Sequence, residues 1–298
     1  MTDTATPTDR SDKPSLRLAE GMLLLTTFIW GGTFAATKVI LDGGLGPMTL
    51  LSWRFGIAAI LFLLFFARRL YKDWTLRTLL VGILLGVLLY VGFGTQTIGL
   101  GTTSSSRSGF ITALYVVITP LLQMLFGRSR PGPMIWISVL LATTGLWLLS
   151  GQLDASQPEL NVGDLYTLVC AVVFAVYIIV LDRYGAALDA IKITATQLVV
   201  VALCCVVHAS MTEEPVIPRS LNIWLLLLYL ALFASVFTTW CQSRFQPSTT
   251  PSRAALIYSL ESVFAAIVGM ILLGENLGVI GYIGGGLIVM GLVLAERR

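Results

Sequence analysis

Ser252–Gly274 reads SRAALIYSLESVFAAIVGMILLG. The run is long enough to cross a bilayer as a helix, yet it carries one carboxylate, Glu261, near its middle. An ionisable group at that depth costs about 3 kcal/mol or more unless it is paired, hydrated or protonated, so by default it marks a function. The run has a twin. Ser106–Gly127, SRSGFITALYVVITPLLQMLFG, starts with the same Ser-Arg pair and also ends on glycine. The rest of the chain reads as a frame that places these two segments inside a membrane.

Hydrophobic residues make up 56% of the 298 positions and charged residues only 12%. Mean hydropathy is +0.86, whereas soluble domains carry about 25% charged residues. The pattern predicts an all-α polytopic membrane protein with ten spans: Leu18–Leu41, Pro47–Ala67, Leu76–Leu100, Arg107–Phe126, Pro133–Ser150, Val162–Leu181, Ala190–Ala209, Leu221–Gln242, Ser252–Leu273 and Asn276–Ala295. Each is near the length a bilayer needs. A β-barrel would alternate apolar and polar residues in short segments, and these runs do not. Met1–Arg17 is polar and reads as a disordered tail. It is not a signal peptide, because the apolar run that follows is too long and lacks a small-residue cleavage site.

Placement explains the net charge of +3. Fifteen Lys and Arg residues fall on one side of the membrane (Arg68, Arg69, Lys192 and Arg253 among them), and only Arg107 and Arg219 on the other. That bias puts both termini in the cytoplasm, which requires an even number of spans. No nucleic-acid signature is present. Cys170, Cys204, Cys205 and Cys241 all lie in apolar runs, with no CxxC or Cys/His cluster to suggest a metal. No cofactor is implied. The one histidine, His208, ends an apolar run and reads as structural.

The twin segments belong to a longer repeat. Ser106-Arg107 and Ser252-Arg253 stand 146 residues apart, and the same offset relates Gly145 to Gly291 in the helices that follow. The chain divides into a tail (1–17), a first five-helix repeat (18–151), an extracytoplasmic linker (152–160) and a second five-helix repeat (161–298). An odd number of spans per repeat forces the copies into opposite orientations. Inverted repeats are an architecture of alternating-access transporters, with the substrate site near the midplane between them.

Several motifs resemble the drug/metabolite transporter superfamily in its EamA-type ten-helix branch. They are Trp30-Gly31-Gly32-Thr33-Phe34 followed by Lys38, Arg54-Phe55, Ser104–Ser106 with Thr119-Pro120, and the ninth and tenth spans ending in Gly274-Glu275 and IVMGLVL. The fourth span departs from the pattern, with Gly127-Arg128 where an acid is common. The resemblance covers residues 18 to 296. It implies export of small metabolites from the cytoplasm, and within the family the chain looks most like the amino-acid exporters, including the aromatic type.

Candidate substrate-binding residues are Trp30, Phe34, Arg54, Tyr90, Gln96, Tyr115, Tyr177, Tyr258 and Glu261. Glu261 lies roughly 13 Å into its span at the helical rise. It reads either as a ligand for a substrate ammonium or proton, or as a neutral carboxyl bonded to a neighbouring helix. Arg54 lies roughly 10 Å in and offers two parallel bonds to a carboxylate, or a partner for Glu261, or a snorkelling side chain. Lys38, a second candidate charge partner, sits where snorkelling is easier. The aromatic rings suit an apolar substrate body and their hydroxyls a polar end. Pro120 interrupts its helix and reads as a hinge. An intramembrane enzyme would need a nucleophile–base pair or a zinc motif, and a channel a filter or a ring of like residues. Neither is visible. The sequence leaves open the substrate's identity, the coupling ion and whether the protein is a monomer or a homodimer.

Overall fold

The computed structural model describes residues 14–103, 105–126, 129–151, 161–214, 216–273 and 278–296. Among these the chain is helical, without strands. The helices are α1 (Leu16–Asp42), α2 (Pro47–Leu70), α3 (Leu76–Leu100), α4 (Arg107–Phe126), α5 (Pro133–Gly151), α6 (Val162–Gly185), α7 (Ala190–Thr212), α8 (Leu221–Ser248), α9 (Pro251–Ser259 continued by Glu261–Leu273) and α10 (Gly278–Glu296). Nine are long and apolar enough to cross a membrane, while the apolar part of α5, Pro133–Leu149, is shorter. Most of the tail expected at 1–17, the linker at 152–160, and the motif residues Ser104, Gly127-Arg128 and Gly274-Glu275 lie outside the described residues.

Helices form because the bilayer core offers no water to backbone amides. Their starts carry ordinary caps. The Ser15 hydroxyl accepts from Leu18 N, Thr75 from Thr78 N and Thr250 from Arg253 N. Asn161 and Asp164 form a reciprocal capping box. Pro47 and Pro251 occupy first-turn positions, where a missing N–H costs nothing. Large apolar side chains such as Leu64 and Phe65 face outward, Phe65 with 82% of its surface exposed, as a lipid-facing helix requires.

The helices pack as two copies related by exchange. α1 lies against α9 as α6 lies against α4, and α3 lies against α6 and α7 as α8 lies against α1 and α2. The pairs α2–α7, α4–α9 and α5–α10 map onto themselves. At residue scale the relation is close. A Cβ on Gly145 would sit 2.5 Å from the Gly284 carbonyl oxygen and 2.8 Å from Ile288, and one on Gly291 would meet Ser138 O and Ala142 N at 2.7 and 3.3 Å. Ser138 and Ala142 are the positions that the 146-residue offset assigns to Gly284 and Ile288.

Helix directions follow alternating traversal. α1 and α9 ascend together, from Glu20–Arg253 to the Phe28–Phe264 ring contact. α4 and α6 do likewise, from Ser108–Thr167 to Phe126–Arg183. Arg253 reaches both Glu20 and the Ala295 carbonyl, so both ends of the described chain meet at one face of the bundle.

Several helices are interrupted. α1 breaks at Gly32, α4 at Leu114 and α9 at Leu260. Leu114 and Leu260 are offset by 146 residues, and each donates its N–H three residues back, to Ile111 and Ile257 respectively. α8 contains a π-helical turn, Leu232–Phe237, a feature that often marks function.

Candidate functional site

A cavity opens between the two halves. Its wall comes from α1, α3, α4, α6, α8 and α9. Ten of the thirteen lining residues fall into five repeat-related pairs. Trp30 with Phe174 and Thr33 with Tyr177 are offset by 144 residues. Gln96 with Gln242, Thr112 with Tyr258, and Tyr115 with Glu261 are offset by 146. Leu89, Phe93 and Ile178 complete the wall. The cavity therefore sits on the axis that exchanges the repeats. The helix breaks at Leu114 and Leu260 put their flanking residues, Tyr115 and Glu261, into it.

Glu261 is half-buried and takes part in none of the ion pairs seen among the described residues. Around it the walls are braced. The Tyr177 hydroxyl donates to Gln197 Oε1 at 2.8 Å, and Gln197 Nε2 donates to Ser243 Oγ at 3.1 Å. The Tyr258 hydroxyl donates to Gln246 Oε1 at 3.1 Å, and Gln246 Nε2 to the Ile178 carbonyl at 3.0 Å. Gln96 Nε2 donates to Thr112 Oγ1 at 3.3 Å. The Trp30 and Tyr258 rings stand 5.3 Å apart. Two polar atoms in the wall, Trp30 Nε1 and the Tyr115 hydroxyl, are buried with no hydrogen-bond partner. Buried donors without partners are rare in folded proteins, and these two border a space that a ligand can fill.

The structure thus brings together Trp30, Gln96, Tyr115, Tyr177, Tyr258 and Glu261. Other candidates lie elsewhere. Arg54 is 3% exposed and forms no part of the wall. Its Nε donates to Ser235 Oγ at 2.8 Å and a terminal nitrogen donates to the Ala234 carbonyl at 3.0 Å. Its guanidinium stacks 4.6 Å from the ring of Phe93, which does line the cavity. The π turn of α8 supplies both of its oxygen partners. Lys38 pairs with Asp42 at 3.2 Å near the end of α1. Phe34 is buried beside Gly109. The Tyr90 hydroxyl bonds to His208 Nδ1 at 2.8 Å. Pro120 lies in α4 beyond the break at Leu114.

Thr33, Thr112, Phe93, Phe174 and Gln242 were not among the sequence candidates. Carrying Gln96 forward by the repeat offset would have found Gln242.

Two ion pairs tie the halves together at opposite ends of the cavity. At one end an Arg107 guanidinium nitrogen lies 2.7 Å from Asp164, which also accepts from Thr103 Oγ1 at 3.0 Å. At the other end Arg253 lies 3.7 Å from Glu20. Arg107 and Arg253 are related by the 146-residue offset, and Glu20 and Asp164 by 144. The same bridge is thus built twice.

Comparison with known proteins agrees with this architecture. A family model described as the EamA-like transporter family matches residues 17–151 and again 161–296. A transporter of Archaeoglobus fulgidus is 30% identical over 276 residues, covering 93% of this chain and 85% of that protein. The inner membrane transporter YedA of Escherichia coli is 28% identical, covering 92% and 89%. The threonine/homoserine exporter RhtA of Escherichia coli is 27% identical, covering 93% and 91%. A solved crystal structure superimposes with a TM-score of 0.78 at 20% identity, over 95% of this chain and all of that one, a likeness of fold.

Proposed function

Because the chain belongs to the EamA-like transporter family, matched in both of its halves, we propose that it is a secondary transporter. It exports small metabolites, amino acids or their close relatives, by alternating access. The observation that carries this reading is the cavity on the repeat axis, with a bridge at each end. Arg107–Asp164 and Arg253–Glu20 act as equivalent gates. Breaking one while the other holds would open the cavity to one side only, since two arrangements of one duplicated frame have similar energies. Similarity to RhtA supports amino-acid-like cargo, and similarity to YedA supports residence in a bacterial inner membrane.

The excess of Lys and Arg on one side puts the tail (1–17) and the end of the second repeat (161–298) in the cytoplasm and the linker (152–160) outside. The first repeat is then 18–151.

The test is saturable counterflow of labelled metabolites across liposomes containing the purified protein. Saturable flux with trans-stimulation supports the reading. Non-saturating conductance would replace it with a channel, and the absence of flux for every metabolite class would remove it.

A further inference from the structure

We infer that the cavity selects organic cations: compounds that pair a protonated amine with an apolar, preferably aromatic body and lack a free carboxylate. The inference rests on the transporter reading above and narrows its cargo from amino acids to relatives whose carboxylate is masked or missing.

Three observations support it. First, Glu261 is the one charged side chain in the wall; among the described residues no Lys, Arg or His lines it. The buried Arg54 lies outside the wall and is held by Ser235 Oγ, the Ala234 carbonyl and the Phe93 ring. Second, six aromatic rings face the cavity: Trp30, Phe93, Tyr115, Phe174, Tyr177 and Tyr258. Their electron-rich faces attract a cation that has lost its water. Third, the repeat symmetry is broken at one decisive place. Where one repeat has Glu261, the other has Tyr115, whose hydroxyl has no partner, and the orphan Trp30 N–H is also in the wall. The wall thus offers one carboxylate and two neutral donors that lack partners.

An ammonium group fits the Glu261 carboxylate, and a carbonyl or amide oxygen fits the neutral donors. A free carboxylate would leave water for a wall that holds no cation to receive it, which burial penalises.

The test uses the purified full chain and three matched radioligands: phenylalaninamide as the cation, phenylalanine as the zwitterion and N-acetylphenylalanine as the anion. Phenylalaninamide is expected to bind at least tenfold tighter than phenylalanine, with no binding of the anion. Glu261→Gln is expected to bring the first two within about threefold of each other. Phenylalanine binding as tightly as its amide overturns the inference, as does a preference that survives Glu261→Gln, or binding of none of the three. If Glu261→Gln does not elute as a single folded species, the ranking in the unaltered protein decides. Failure here with saturable flux of another metabolite leaves the transporter reading standing; failure of both removes both.

Discussion

At the residue scale, the site turns on adjacent positions that point different ways. Thr33 lines the cavity and Phe34 does not, although the two are consecutive in the chain. In a soluble helix the polar stripe reveals the inner face. In α1 the threonines Thr26, Thr33 and Thr37 share one stripe with Trp30, so the inner face is partly marked, but Thr27, in register with Phe34, is buried as well, and the stripe alone does not separate Thr33 from Phe34. Glu261 was legible for the opposite reason: a carboxylate in that setting is too costly to be incidental. Gln242 should matter as much as its repeat partner Gln96. Gln242→Leu and Gln96→Leu are each expected to weaken binding of transported substrate about tenfold, near 1.4 kcal/mol, as read by radioligand titration. Unchanged affinity in both would take the amides out of the recognition surface. Arg54 plays a different part. Arg54→Met removes the donors to the buried Ser235 hydroxyl and the Ala234 carbonyl, and a loss of about 1–3 kcal/mol in stability is expected, seen as a lower melting temperature in detergent.

At the element scale, the ten runs were readable because length and hydropathy decide spans in a bilayer. The interruptions were not. Nothing in the residues around Leu114 and Leu260 announces a break, and the π turn of α8 is a response to packing, with Arg54 filling the oxygens it presents. The glycine seam between α5 and α10 was partly legible, since Gly145 and Gly291 share the repeat offset. Gly145→Leu or Gly291→Leu should force those helices apart at a cost of about 1–3 kcal/mol. The two variants should melt at similar temperatures, because each drives a side chain into the same symmetric contact. Substrate affinity in the surviving folded fraction should be unchanged, as α5 and α10 contribute nothing to the cavity wall.

At the scale of the whole molecule, the sequence predicted two halves, and the exchange pattern of helix contacts follows that division. The bridges at the two ends were less legible. Arg107 and Arg253 stood out as a pair, but their partners Asp164 and Glu20 lie on different helices and show only in three dimensions. If the bridges gate access, Asp164→Asn should favour opening on the side of Arg107 and Glu20→Gln on the side of Arg253. With Thr33→Cys as the reporter, in a chain whose four natural cysteines are replaced by alanine, a membrane-impermeant thiol reagent should label faster from outside in the first variant. It should label faster from inside in the second. Equal labelling in both variants from both sides would remove the gating role.

The seam between α5 and α10 also bears on how the molecule is made. A ribosome adds roughly 5–20 residues each second, so the face around Gly145 waits roughly ten seconds before Gly284 is even synthesised. During that delay the uncovered groove sits in lipid, and its best available match is the same groove on another unfinished chain. Crowded synthesis would then yield tangled pairs joined α5 to α5, and slower expression would give a larger share of correctly closed single molecules.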